Sequence, residues 1–132
     1  MTSSATPGAS QAPAELPDNV EFWQAARDGR LLLKYCDACG KPHWYPRVLC
    51  PFCMGTTHWK ASGGRGTVYS FSVTRRAGPE PFCIAYVTLD EGVSMMTHIV
   101  GCDLDAVRIG QKVRVVFAPT ENGAPVPTFT PA

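Results

Sequence analysis

The 132-residue chain has little charge and almost none in excess. Lys, Arg, Asp and Glu together make up 17% of it, and the balance at neutral pH is +1. A nucleic-acid partner usually demands a basic stripe, and no part of the chain supplies one. No apolar run approaches the roughly 18–20 residues that span a bilayer. The start of the chain also lacks the basic-then-apolar order of a secretory leader. A soluble, cytoplasmic protein with no membrane association is therefore expected. The raw material of catalysis is sparse too. There are three histidines, and neither paired carboxylates, an activated serine nor a Cys–His dyad can be assembled from the sequence. No catalytic residue is assigned, and no activity is expected of the chain alone.

Apolar residues are plentiful, at 45%, as are glycine and proline, at 12 each. That composition supports a real core in one ordinary domain or two very small ones. Residues 1–17 are the exception: Ser, Thr, Ala, Gly, Pro and Gln bury too little apolar area to offset ordering entropy, and a disordered tail is expected. Asp18 and Glu21 have capping-box spacing and open a helix whose apolar face is Phe22, Trp23 and Ala26, with Gly29 as terminator. A helix this short must dock, either on its own domain or on a partner subunit.

Short strands are expected at 31–35 and 43–47, each running into a cysteine pair, and residues 58–62 then lead to a glycine-rich hinge. Beyond Gly63, Gly64 and Gly66, the alternation of Tyr69, Phe71 and Val73 with small polar residues marks a half-buried strand. Strands at 82–89 and 93–100 flank the turn Asp90-Glu91-Gly92. One helical turn is expected at 103–107, a strand at 112–118, and a last strand at 126–130 whose flanking prolines mark it as an edge. Five short strands in so few residues suggest a small closed barrel. The expected organisation is mainly β: helix and metal ribbon over 18–62, five-stranded barrel over 63–132.

The strongest motif is Cys36-Asp37-Ala38-Cys39 with Cys50-Pro51-Phe52-Cys53. Each CxxC forms a knuckle whose sulfurs converge, and two facing knuckles make the closed tetrahedral site that zinc prefers. Iron in a rubredoxin-like site and a pair of disulfides are the alternatives. Four thiolates leave no open coordination position, so the metal is structural. His43 lies between the pairs but is redundant as a ligand, and His58 and His98 are placed still less like ligands. Cys83 and Cys102 fall outside any metal spacing.

The segments FWQAARDGRLLLKYC, CDACGKPHWYPRVLCPFC, GGRGTVYSFSV, PFCIAYVTLDEGVSMMTHIVG and IGQKVRVVF, in this order over residues 20–117, resemble a known family. It comprises the small acyl-CoA-associated proteins in which a rubredoxin-like zinc ribbon precedes an OB-fold, formerly a domain of unknown function. Met54 is a departure, since the family often has glycine directly after the last cysteine. The resemblance implies a non-catalytic accessory subunit of a hetero-oligomer. A thiolase-like partner would supply the catalytic residues for bond cleavage or formation on CoA thioesters, whether by thiolysis, retro-aldol cleavage or acyl transfer. It further implies that the barrel receives part of an acyl-CoA and that the ribbon contacts the partner.

Several residues are candidates for those roles. Arg65, Arg75 and Arg76, at the ends of the first barrel strand, are placed to meet CoA phosphates or else form a solvated rim. Trp23 on the helix, with Trp44, Tyr45 and Arg47 in the ribbon, supplies the aromatic and Arg groups typical of interface hot spots, or else packs the ribbon. Of Met95 and Met96, one belongs to the core and the other to the surface. A single-stranded nucleic-acid module is the competing function, because ribbons and OB-folds both serve it. Tyr69 and Phe71 would be its stacking platform, but serine rather than Arg or Lys lies between them.

Overall fold

The computed structural model describes residues 19–75, 80–121 and 123–132. The expected tail over 1–17, the cap at Asp18 and Arg76 lie outside the described residues. Helix α1 spans Val20–Arg27 and buries Phe22, Trp23, Ala25 and Ala26. It ends where Gly29 turns left-handed (φ 78°) and the Arg30 N–H returns to the Ala25 carbonyl at 2.9 Å, the stop that glycine permits without a Cβ penalty. The buried helix face meets Leu31 and Leu33 of the following segment, so α1 docks on its own chain.

Strands β1 (Leu32–Cys36), β2 (Pro42–His43) and β3 (Thr57–Ala61) form an antiparallel sheet in the order β2-β1-β3. The strand expected over 43–47 is cut to two residues. Pro46 has no N–H to offer a ladder, and the Arg47 N–H donates instead to His43 Nε2 at 3.1 Å. That bond closes 43–47 into a loop.

Strands β4 (Arg65–Thr74), β5 (Phe82–Leu89), β6 (Ser94–Ile99), β7 (Lys112–Ala118) and β8 (Val126–Pro131) close a barrel in the order β4-β5-β6-β8-β7. One 3-10 turn, Leu104–Ala106, joins β6 to β7, with the Asp103 carboxylate accepting the Asp105 N–H at 3.0 Å. Two expectations are corrected here. First, Val68 pairs with Val87 and Ser70 with Tyr86, so Tyr69 is the extra residue of a bulge. By register Phe71 and Val73 stand opposite the buried Ala85 and Cys83, although Phe71 is still 37% exposed, whereas Tyr69 is set out of that alternation by the bulge and is 70% exposed; the three do not share a face. Second, β8 is no edge, because it pairs with β7 along its length and with β6 at Ile99–Phe129. Pro127 and Pro131 share the parity of Phe129, whose carbonyl accepts the Val100 N–H at 2.8 Å. Their missing N–H groups thus face the β6 seam, which is a single bridge, and the β7 ladder is left whole.

One apolar cluster runs through the molecule, joining Phe22, Trp23, Leu31 and Leu33 to Val68, Val87, Leu89, Met95, Val113 and Phe129 of the barrel. Met95 is buried and Met96 exposed, as alternation requires. Between ribbon and barrel, Glu91 of the β5–β6 turn accepts from Ser62 Oγ and from the Gly63 N–H, each at 3.0 Å. Among the described residues no helix is long and apolar enough to cross a membrane.

Candidate functional site

The end of β1 carries Cys36 into the first knuckle, and the 45–49 loop carries Cys50 into the second. The knuckles repeat one design. The Gly40 N–H returns to the Cys36 carbonyl at 3.0 Å, and the Met54 N–H to the Cys50 carbonyl at 2.8 Å. Gly40 and Met54 are both left-handed, at φ 75° and 66°. The Ala38 and Cys39 N–H groups point at Cys36 Sγ, and the Phe52 N–H at Cys50 Sγ, all at 3.3 Å.

The four sulfurs of Cys36, Cys39, Cys50 and Cys53 all lie within 4.8 Å of one another. Cys36 and Cys53 Sγ are 3.4 Å apart, Cys39 and Cys50 Sγ 3.8 Å. A tetrahedron with metal–sulfur bonds of about 2.3 Å has edges of about 3.8 Å, so the donor set fits one tetrahedral ion. Its protonation balance points the same way. The Cys39 N–H, helped by that of Ala38, holds the Cys36 thiol down at about 6. The Gly55 N–H pulls Cys53 down as well, but its hydrogen bond with Cys36, burial and the other sulfurs outweigh it and push that thiol up to about 11. Four sulfurs this close ionise together only around a cation. Gly55 sits against them: a Cβ there would lie 3.0 Å from Cys36 Sγ.

None of the histidines joins this cluster among the described residues. His43 is buried, and desolvation, with the positive charges of Arg47 and Lys34, lowers its pKa. Its Nε2 must therefore be the unprotonated acceptor of the Arg47 N–H. His58 Nδ1 and Thr56 Oγ1 both bond the Asp37 carboxylate and hold it below its usual range, the Thr56 bond contributing most. Burial pushes the Cys83 and Cys102 thiols up, opposite to what a nucleophile needs.

The residues proposed from sequence for other roles do not all come together. Arg65 and Arg75 stand at opposite ends of the ten-residue β4, on the order of 30 Å apart at a strand's rise. Arg75 is ion-paired with Asp105. They do not form one phosphate site. Trp23 is 2% exposed and has no surface to offer a partner. Trp44 packs on Phe22 at 5.3 Å and on Tyr45 at 5.2 Å. Tyr45 accepts from Asn19 Nδ2 at 2.8 Å and keeps part of its ring exposed. The bulge at Tyr69 dismantles the proposed stacking platform with Phe71.

The structure adds two features. Val48, Leu49, Phe52 and Met54, with Tyr45, form an exposed apolar rim along the second knuckle. Beside it a cleft of about 610 Å³ lies between ribbon and barrel, lined by Lys41, Trp44, Arg47 and Phe52 on one side and Glu91 and Val93 on the other. The exposure of Phe52 was readable in the sequence, since the X positions of a tight CxxC face away from the metal. The cleft was not readable, because it joins segments some fifty positions apart.

Comparison with known proteins follows the same division of the chain. Residues 23–58 match the ChsH2 rubredoxin-like zinc ribbon domain, and residues 59–118 the ChsH2 C-terminal OB-fold domain. A "Probable enoyl-CoA hydratase alpha subunit" of Thermomonospora curvata is 32% identical over 126 residues, covering 91% of this chain and 39% of that protein. The chain thus spans about two fifths of the length of this relative. A DUF35 domain-containing scaffold protein of Methanocaldococcus jannaschii is 31% identical, with 74% of this chain and 75% of that protein covered. Among solved structures, a chain of the Ltp2–ChsH2(DUF35) aldolase superposes with a TM-score of 0.77 at 30% identity, over 91% of this chain and 98% of that one. A DUF35-family protein of unknown function from Sulfolobus solfataricus, at 14% identity and TM-score 0.65 over 88% and 86% of the two chains, shares the fold.

Proposed function

Because the chain belongs to the DUF35 family, which joins a ChsH2-type rubredoxin-like zinc ribbon to an OB-fold barrel, we propose that it is a non-catalytic subunit of an enzyme complex acting on CoA thioesters. Its partner would be a larger catalytic subunit of thiolase-like, aldolase or related fold. The observation that carries this reading is the likeness to a DUF35 chain that forms part of an aldolase, over 98% of that chain's length. The relative named as a hydratase alpha subunit supports the CoA-thioester setting.

Zinc bound by Cys36, Cys39, Cys50 and Cys53 would be structural: four thiolates complete its tetrahedron and leave no position for a water or substrate. Holding the two knuckles together fixes the exposed rim of Val48, Leu49, Phe52 and Met54 beside Tyr45 and Arg47. Apolar and aromatic groups beside an Arg gain most when desolvated at an interface, so the partner is assigned to this rim.

Turnover divides the reading from its rivals. The purified chain should convert no acyl-CoA, and turnover should appear when it is combined with its catalytic partner. Steady turnover by the isolated chain, with contaminants excluded, contradicts an accessory role.

A further inference from the structure

We infer that Asp37, Thr56 and His58 form a clasp between the two knuckles that sets how slowly a zinc ion leaves the four-cysteine site. The β1–β3 ladder ends at the pair Cys36–Thr57. Asp37 carries it one step further, past the first ligand. Its N–H donates to the Thr56 carbonyl at 2.8 Å. Its carboxylate accepts from Thr56 Oγ1 at 2.7 Å and from His58 Nδ1 at 2.5 Å. A carboxylate only accepts, so His58 carries its proton on Nδ1. The His58 ring is itself placed, stacked on Tyr35 at 6.2 Å.

The same short segment also grips the second knuckle. Thr56 bridges Leu49, the residue before Cys50. The Gly55 carbonyl accepts the Cys50 N–H at 2.8 Å, and Thr57 Oγ1 donates to the Val48 carbonyl at 2.7 Å. Residues 55–58 thus tie both knuckles together through bonds that need no metal. The two ties are not alike. In the first knuckle the residue after the leading cysteine is Asp37; in the second it is Pro51, whose side chain can make no such bond. Release of an ion requires the sulfurs to let go in turn, and each knuckle has one exposed cysteine, Cys39 or Cys53. A detached Cys39 recaptures the ion only if the tip of its knuckle stays in place, which keeps the effective concentration of its sulfur high. The Asp37 bonds hold that tip. None of the three clasp residues is a ligand; each acts through the position of Cys36 and Cys39, as partners one step behind a metal do.

Transfer of zinc from the loaded full chain to an excess of a chromophoric pyridylazo-resorcinol chelator tests this, with the urea midpoint of each loaded variant measured alongside. Asp37→Ala removes both acceptor oxygens and should speed transfer about tenfold, the low end for such partners, because the side chains of Asp37 and His58 are half-exposed. Thr56→Val and His58→Phe should each speed it less, whereas Thr56→Ser keeps the hydroxyl and should transfer at the wild-type rate. Added to Asp37→Ala, His58→Phe should bring no further increase, since its acceptor is already gone. Gly66→Ala, which strains the barrel and not the ribbon, should lower the urea midpoint and leave the transfer rate unchanged. Several results would overturn the clasp. The wild-type chain holds no zinc; Asp37→Ala transfers at the wild-type rate; the Asp37 and His58 effects add in full; or the rates of all variants, Gly66→Ala included, follow their urea midpoints, in which case zinc leaves by global unfolding.

Discussion

Met54 holds a backbone conformation that its side chain disfavours. At φ 66° it occupies in the second knuckle the place that Gly40 occupies in the first, and a left-handed non-glycine residue costs roughly 1–2 kcal/mol. Met54→Gly should therefore stabilise the metal-loaded chain by about 1 kcal/mol in urea denaturation. A loss of stability would mean that the exposed Met side chain contributes more than the backbone relief. The irregularity was visible in the sequence as a departure from glycine after the last cysteine; its physical meaning is the repeated knuckle geometry. A second residue-scale prediction concerns His43. Desolvation first, then Arg47 and Lys34, hold its pKa below 6.5, while the unfolded chain titrates near 6.5. The neutral ring thus contributes stability that is present above pH 6.5 and lost as pH falls through the lower folded value. In an NMR titration the His43 ring should protonate below 6.5, and the Arg47 amide should shift with the same midpoint. A midpoint at or above 6.5 would show that the ring is not the buried acceptor described here.

At the scale of elements, local patterning located every barrel strand but not how two of them are used. Period-two alternation marks a strand wherever it occurs, yet Tyr69 and Ser70 fit either phase, so nothing local announces a bulge between Val68 and Ser70. The prolines of β8 suggested an edge for a sound reason. The seam that tolerates them depends on a bridge from Ile99 to Phe129, which no short window contains. The loop at 43–47 was missed because its closing bond comes from a histidine side chain. Gly66 tests the β4–β5 register directly. A Cβ there would lie 2.7 Å from the Thr88 carbonyl oxygen and from Val87 Cγ1, and backbone cannot yield as a side chain does. Gly66→Ala should lower the unfolding free energy by about 1–3 kcal/mol, the usual cost of overpacking, with the urea midpoint as readout. An unchanged midpoint would mean that the two strands are not paired as described.

At the scale of the whole molecule, the parts legible in the sequence are those built from short-range spacing. The two CxxC pairs specify their own knuckles, and the structure gathers the four sulfurs as the spacing required. The expected ligand and partner surfaces depended on tertiary placement and fared differently. Burial took Trp23 out of consideration, the length of β4 separated Arg65 from Arg75, and the cleft arose from residues with no motif. One core joins helix, ribbon and barrel, so the ribbon's exposed rim is held in a fixed place relative to the barrel. Native mass spectrometry of the assembly captured from source cells through the tagged full chain tests the central claim most directly, because one spectrum reads metal and partner together. The account predicts one zinc ion per copy of this chain and a larger subunit that converts CoA thioesters, in fixed ratio. A chain without metal, or a metal-loaded chain that carries no catalytic subunit, would contradict it.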